Sequence, residues 1–118
     1  MFAELSDQAK SLHVALKSFM AEEVYPNEKA LLTLAEAAER WAPRPLLGQL
    51  QAKAKARGLW NLFYHGPGGQ GLSNFEYAHL CETLGRSLAA PEIFNCNAPD
   101  VGNMELLSAY GTAEQKER

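Results

Sequence analysis

The first 24 residues contain the feature that most limits how this chain can fold, a row of apolar side chains with helical spacing. They recur at steps of three to five residues, with charged residues between them: Leu5, Ala9, Leu12, Leu16, Phe19 and Val24. This spacing is typical of an amphipathic α-helix. Pro26 is expected to end that helix, because proline lacks the amide that a helix interior uses.

Two more helices are predicted before residue 60. Asn27 is a candidate N-cap for a second helix that reaches Arg40. The inward positions of that helix are Leu31, Leu34, Ala35 and Ala38.

A third helix is expected from Pro45 to a stop at Gly58. Its apolar positions are Leu46, Leu47, Leu50 and Ala54. The basic cluster at its end is interpreted as a solvated helix terminus rather than an anion site; it comprises Lys53, Lys55 and Arg57.

The segment that follows is rich in glycine, at positions 66, 68, 69 and 71. It is interpreted as a surface loop. No strand precedes it, and it lacks the Lys-Ser/Thr ending of a phosphate-binding loop.

Two helices are predicted beyond this loop. Ser73 and Glu76 have capping-box spacing and open the fourth helix. Its inward residues are Tyr77, Leu80, Cys81, Leu84 and Leu88. The fifth helix is expected to start at Pro91 and to contain Pro99 and Gly102. Its apolar residues are Ile93, Phe94, Ala98, Val101, Met104, Leu107 and Tyr110.

The final residues, "GTAEQKER", contain a second capping box at Thr112 and Gln115. Only a short or frayed helix is expected there. Strand alternation is missing throughout, and 118 residues suffice for one core. The predicted fold is therefore all-α, an antiparallel bundle of about five to six helices.

The stretch "APEIFNCNAPDVGNMELL" breaks the rules for a plain helix. Asn95, Asn97 and Asp100 are poor helix formers, and Pro99 and Gly102 lie among them. Such violations are typical of functional or strained sites. A kinked packing helix explains the same residues equally well, and the residues alone leave both interpretations open.

The titratable residues form no recognisable catalytic or metal-binding pattern. His13, His65 and His79 lack metal-ligand spacing. Cys81 is expected to be a buried, inert thiol, and Cys96 has no basic neighbour in sequence. The carboxylates are unpaired in sequence, so no catalytic residue and no metal ligand is predicted.

Composition excludes several classes of function. The net charge of −3 gives no basic excess for nucleic acid, and no apolar run approaches the roughly 20 residues of a membrane span. Two cysteines in a chain with no signal-peptide pattern indicate reduced thiols and a cytoplasmic protein.

Three segments, "GLWNLF", "GLSNFEYAHLCETLGRS" and "APEIFNCNAPDVGNMELLSAYGTAEQK", closely resemble the N-terminal helical domain of acyl-CoA dehydrogenases. The likeness is dense from Arg57 to Lys116, and it is strongest to the branch that is sometimes fused to a phosphotransferase-like domain. On this resemblance, residues 1–118 are an N-terminal domain without the middle β domain and the C-terminal helical domain.

The resemblance implies a flavoenzyme that dehydrogenates acyl-CoA thioesters between the α and β carbons. FAD would accept the hydride, an electron-transfer flavoprotein would reoxidise it, and the enzyme would be a homo-oligomer. The catalytic glutamate and the main flavin contacts would lie outside this chain, so the fragment alone would be inactive. Within it, the tunnel-wall segment matches Phe94 to Gly102, and Phe94, Asn97, Ala98 and Val101 would line the acyl chain. The alternative is a free-standing helical module that binds a protein or an acyl group without redox chemistry.

Overall fold

The computed structural model describes residues 4–36 and 41–117, and all regular structure within these ranges is helical. The α-helices are α1 (Asp7–Phe19), α2 (Glu28–Glu36), α3 (Pro45–Ala56), α4 (Asn74–Leu84), α5 (Ala90–Ile93), α6 (Asp100–Tyr110) and α7 (Ala113–Glu117). A π-helical turn at Met20–Val24 and a 3₁₀ turn at Tyr25–Asn27 join α1 to α2. The described residues contain no strand, which confirms the all-α prediction.

The apolar row of the first helix faces the core, as predicted. Ser6 caps α1 by accepting a hydrogen bond from the amide of Ala9 at 3.2 Å. The buried members of the row are Ala9, Leu16, Phe19 and Val24, and Leu5 and Leu12 pack against them.

The predicted boundary between the first two helices is wrong. The backbone remains helical through Pro26, which lies early in the 3₁₀ turn, where a missing amide is tolerated. Asn27 therefore is not an N-cap; its side-chain amide donates to the carbonyl of Glu23 at 2.7 Å. Leu31 is buried as predicted. The predicted inward positions Leu34, Ala35 and Ala38 and the end at Arg40 lie outside the part whose packing the structure describes.

The third helix ends as its glycine predicts. Gly58 adopts a φ of +69°, and the amides of Gly58 and Leu59 donate to the carbonyls of Lys55 and Ala54 at 3.1 and 2.9 Å. This pair of hydrogen bonds is a Schellman motif, which glycine at the left-handed position favours. Leu50 and Ala54 are buried on the inner face of the helix.

The basic cluster at the end of α3 joins two helical segments. Lys53 Nζ lies 2.7 Å from a carboxylate oxygen of Glu23, and Arg57 Nη1 lies 2.9 Å from one of Glu22. Lys55 Nζ lies 4.1 Å from the ring centre of Trp60. Lys53 and Arg57 thus join the end of α3 to the π-helical turn. Interpreting the cluster as a solvated helix terminus did not predict these ion pairs.

The fourth helix begins with the predicted capping box and is shorter than predicted. Ser73 Oγ accepts from the amide of Glu76, whose carboxylate accepts from the amide of Ser73. The predicted inward positions Leu88 and Cys81 are wrong: Leu88 is 81% exposed because α4 ends at Leu84, and Cys81 is exposed. Cys81 points away because the buried face of α4 centres on Leu80 and Leu84, one turn apart.

The predicted fifth helix is two helices in the structure. The chain turns between Ile93 and Asp100, where Asn95 has a φ of +53° and Pro99 precedes the first residue of α6. Pro99 explains the break, because it lacks an amide and disfavours helical backbone at the residue before it. Of the apolar residues predicted for this region, Ile93 and Phe94 are buried as expected, whereas α6 has no buried residue along its full described length.

The core lies between α1, α3, α4 and α5. The rings of Phe19 and Phe94 meet edge to face at its centre, with their centroids 5.2 Å apart. Leu59, Leu62 and Leu72 from the connection between α3 and α4 complete it. α6 and α7 follow this core along the chain and border the candidate site.

Candidate functional site

Two asparagines fix the backbone where the candidate site begins. Asn61 and Asn95 have φ values of 56° and 53°, in the left-handed region that asparagine tolerates better than most residues. Asn95 Nδ2 donates to Asn61 Oδ1 at 2.6 Å, and the amide of Asn61 donates to the carbonyl of Phe94 at 3.2 Å. Asn95 Nδ2 also lies 3.3 Å from the sulfur of Met104. The pair therefore sets the position of α6 relative to the segment after α3.

A groove of about 540 Å³ lies between this segment and α6. Its lining residues are Asn61, Tyr64, Pro67, Met104, Leu107, Ser108 and Lys116. The volume falls within the range of roughly 300–1,000 Å³ that is typical of small-molecule sites. Three apolar side chains lie in this lining beside polar groups that include the cation of Lys116, so the groove suits a ligand that has both apolar and polar parts.

Tyr64 crosses this groove from one wall to the other. Its phenol oxygen lies 2.5 Å from Ser108 Oγ on α6, and its amide donates to the carbonyl of Asn61 at 3.0 Å. A Cβ atom at Gly66 would overlap the phenol of Tyr64, and one at Gly69 would overlap its carbonyl. The glycines of this segment had predicted a surface loop. In the structure, Gly66 and Gly69 allow the backbone to pass close to Tyr64, where a larger residue would not fit.

A second groove of about 460 Å³ runs along another side of α6. It is lined by Asn103, Leu106, Leu107, Tyr110, Gly111 and Gln115. Leu106 is 61% exposed and Tyr110 is 82% exposed. α6 therefore presents apolar side chains to both grooves, although the helix buries none of its residues in the core.

The four residues that the resemblance selected lie beside these grooves and line neither in the described structure. Phe94 is fully buried in the core, and Ala98 is exposed. Asn97 and Val101 are half-buried, and the carbonyl of Asn97 accepts from the amide of Val101 at 3.2 Å in the first turn of α6. Together they anchor and start the helix that forms one groove wall.

Sequence reasoning missed Asn61, Tyr64 and Ser108. Each was an ordinary polar or aromatic residue within a predicted loop or helix. The available signal was the closeness of an aromatic residue to Gly66 and Gly69, since glycine is favoured where backbone approaches a neighbouring group closely.

Burial shifts the pKa of two groups packed against the core beside this region, Cys96, which follows Asn95 in the chain, and Tyr77. Burial raises the pKa of the Cys96 thiol to about 11, so the thiol is protonated at neutral pH. Burial also raises the pKa of Tyr77 well above its ordinary value, and the neighbouring Cys96 adds to this. Within residues 4–36 and 41–117, no cluster of three or more histidine, cysteine or acidic residues could hold a metal ion.

A comparison with known families decides what kind of domain this is. The family described as "Acyl-CoA dehydrogenase, N-terminal domain" matches residues 6–118. The chain belongs to the acyl-CoA dehydrogenase family. No helix in the described part is long and apolar enough to cross a membrane.

Individual relatives place the chain in a branch of the family. It is 52% identical to mouse acyl-CoA dehydrogenase family member 10, over 97% of the chain, and 44% identical to chicken family member 11, over 94%. These relatives represent the branch with a kinase-like domain. A solved structure assigned as an acyl-CoA dehydrogenase from Mycobacterium abscessus matches 98% of the chain at 51% identity, with a TM-score of 0.87. The chain spans only 11%, 14% and 31% of these three proteins, respectively.

Proposed function

We propose that this chain is the N-terminal helical domain of an FAD-dependent acyl-CoA dehydrogenase and forms one wall of the site that binds the acyl chain. The groove between α6 and the segment after α3 carries the proposal. Its volume is typical of small-molecule sites, and apolar side chains lie in its lining beside polar groups, in a domain of the right family. An acyl chain is an apolar ligand that such a surface removes from water.

The four residues that the resemblance selected, Phe94, Asn97, Ala98 and Val101, would act next to the groove. Asn97 and Ala98 lie just before α6 and Val101 lies in its first turn, where they would contact the part of the acyl chain that extends beyond the groove. Phe94 would act from the core, where its contact with Phe19 fixes the backbone that precedes them. In this proposal all four residues determine the position of α6, which forms one wall of the groove.

The glycine-rich loop, as the structure describes it, does not fit the phosphates of FAD. The glycine-rich loop could have held a phosphate, but the space beside Gly66 and Gly69 is filled by Tyr64. Acyl-CoA dehydrogenases generally use FAD, so in this proposal another part of the protein holds the flavin and supplies the catalytic glutamate. This domain's own contribution is to orient the acyl chain and to keep water from it.

The exposed apolar side chains of α6 support the proposal that further protein covers this face. Leu106 and Tyr110 would cost stability in water if nothing covered them. In this proposal the remainder of the dehydrogenase packs there. The enzyme as a whole would be a cytoplasmic homo-oligomer that passes electrons to an electron-transfer flavoprotein.

The test compares the 118-residue chain with the same chain joined to the region that follows it in the reading frame. We expect the longer protein to retain FAD and to reduce an artificial electron acceptor when an acyl-CoA is added. The short chain should be colourless and inactive, and it should bind a dye for exposed apolar surface.

Two results would contradict the proposal. One is a longer protein that retains flavin but oxidises no acyl-CoA of any chain length. The other is a stop codon directly after Arg118 together with a monomeric, dye-negative chain, which would favour a free-standing binding module.

A further inference from the structure

The walls of the main groove differ in how freely they can move. Met104 is an unbranched thioether, a side chain that adapts to irregular shapes. Leu107 is 44% exposed and contacts both grooves. Lys116 is an exposed side chain on α7. Each of these can change rotamer when a ligand enters.

Tyr64 differs from them, because three independent contacts hold it. Its phenol is hydrogen-bonded to Ser108 on the opposite wall, and its backbone amide to Asn61. On the outer side the glycine-rich loop is packed so closely that Gly66 and Gly69 leave no room even for a methyl group. The ring cannot rotate away without opening both the loop and the bond to α6.

Tyr64, on the segment after α3, and Ser108, on α6, line opposite walls of the groove, and their contact joins the two walls at that point. A chain that lies along this groove therefore meets the Tyr64 ring. The flexible residues can shift to accept a wider ligand, whereas the fixed ring excludes a longer one.

We propose that Tyr64 is a specificity-determining residue and that its ring sets the longest acyl chain the groove accepts. This inference rests on the proposed function. Under this proposal the segment after α3 limits the length of the acyl chain, and the exposed side chains of α6 only adjust to its width. Ser108 is then a positioning residue that acts by holding the phenol.

The experiment uses the full-length dehydrogenase and a series of saturated acyl-CoAs of increasing length. The measured quantity is kcat/KM for each substrate in the wild type and in Tyr64→Ala, Tyr64→Leu and Tyr64→Phe. We expect Tyr64→Ala to raise the ratio of long-chain to short-chain kcat/KM at least about tenfold, since one methylene group in an apolar pocket is worth roughly 10–200-fold. Tyr64→Phe keeps the ring and its packing against the loop and loses only the bond to Ser108, so it should change the ratio much less than Tyr64→Ala does.

Core damage alone should not move this ratio. Leu80→Ala, in the core and away from the groove, serves as the matched control: it should lower the melting temperature and leave the chain-length ratio unchanged. If Tyr64→Ala does not fold, Tyr64→Leu carries the same test with a smaller expected shift.

The outcomes separate the two proposals. A wild-type enzyme that oxidises no acyl-CoA overturns the proposed function, and this inference falls with it. An active wild type whose chain-length ratio is the same in Tyr64→Ala and Tyr64→Leu overturns the inference alone. A ratio that shifts equally in Tyr64→Phe would show that the hydroxyl group, and not the ring, sets the limit, and this also overturns it.

Discussion

The N-terminal core (α1 and α3 to α5) and the C-terminal arm (residues 100–117) use apolar residues in opposite ways. In the core, Phe19 and Phe94 are fully buried; in the arm, Leu106 and Tyr110 are mostly exposed. The radius of gyration of 15.3 Å exceeds the roughly 13.5 Å typical of a compact chain of this length. The core therefore supplies the stability of the domain, and the arm leaves apolar side chains exposed.

The largest expected difference between the two regions is the cost of removing an aromatic ring. Phe94→Ala should lower the free energy of unfolding by about 3–5 kcal/mol, because it leaves a cavity against Phe19. Tyr110→Ala in the arm should change it by no more than about 0.5 kcal/mol, since the side chain is exposed. Urea denaturation of the 118-residue chain measures both. Equal losses would refute the division into core and arm.

Two glycine substitutions should shift stability in opposite directions. Gly69→Ala should destabilise the chain by about 1–3 kcal/mol, because its Cβ would overlap the backbone carbonyl of Tyr64. Gly102→Ala, in α6, meets no neighbouring atom and should stabilise by up to about 1 kcal/mol through helix propensity. Melting temperatures of both variants test this, and a Gly69→Ala variant as stable as the wild type would show that the loop does not hold Tyr64.

The two capping boxes provide a smaller contrast. Ser73→Ala should cost about 1 kcal/mol of global stability, because α4 belongs to the core. In the arm, Thr112 Oγ1 accepts from the amide of Gln115 at 3.2 Å. Thr112→Ala should unfold α7 locally, seen as faster amide exchange at Gln115, with the urea midpoint unchanged. A shifted midpoint in Thr112→Ala would mean that α7 unfolds with the core.

Local signals in the sequence predicted most of the core. The row from Leu5 to Val24, the stop at Gly58 and both capping boxes depend on residues within a few positions of one another, and the structure confirms them. The exposure of Leu107 and Tyr110 was not predictable in this way, because a helical apolar pattern is the same whether the core or another part of the protein covers it.

The groove depends on contacts between distant parts of the chain. Asn61 meets Asn95 across 34 positions, and Tyr64 meets Ser108 across 44. Neither pair has a sequence pattern that a single chain reveals. The break at Pro99 was visible as a set of unfavourable residues, but whether it kinked one helix or separated two was decided by the packing of Phe94 and Asn95. Residue composition thus located the region, and tertiary contacts determined its shape.

The smallest expected effect concerns a junction where one carboxylate accepts hydrogen bonds from the starts of two helices. Glu76 accepts hydrogen bonds from the amide of Ser6 before α1 at 3.1 Å and from the amide of Ser73 before α4 at 2.9 Å. Hydrogen bonds from the side chain of Ser6, and from the amide and side chain of Ser73 and the amide of Ser6, lower the pKa of Glu76 to about 2, from an ordinary 4.5. A lowered folded-state pKa stabilises the chain above the unfolded-state value, and this contribution is lost as pH falls from about 4.5 towards 2.

Glu76→Gln should therefore be less stable than the wild type at neutral pH, and the difference between their urea midpoints should shrink on acidification. A constant difference at all pH values would mean that the charge of Glu76 contributes nothing and that only its shape matters.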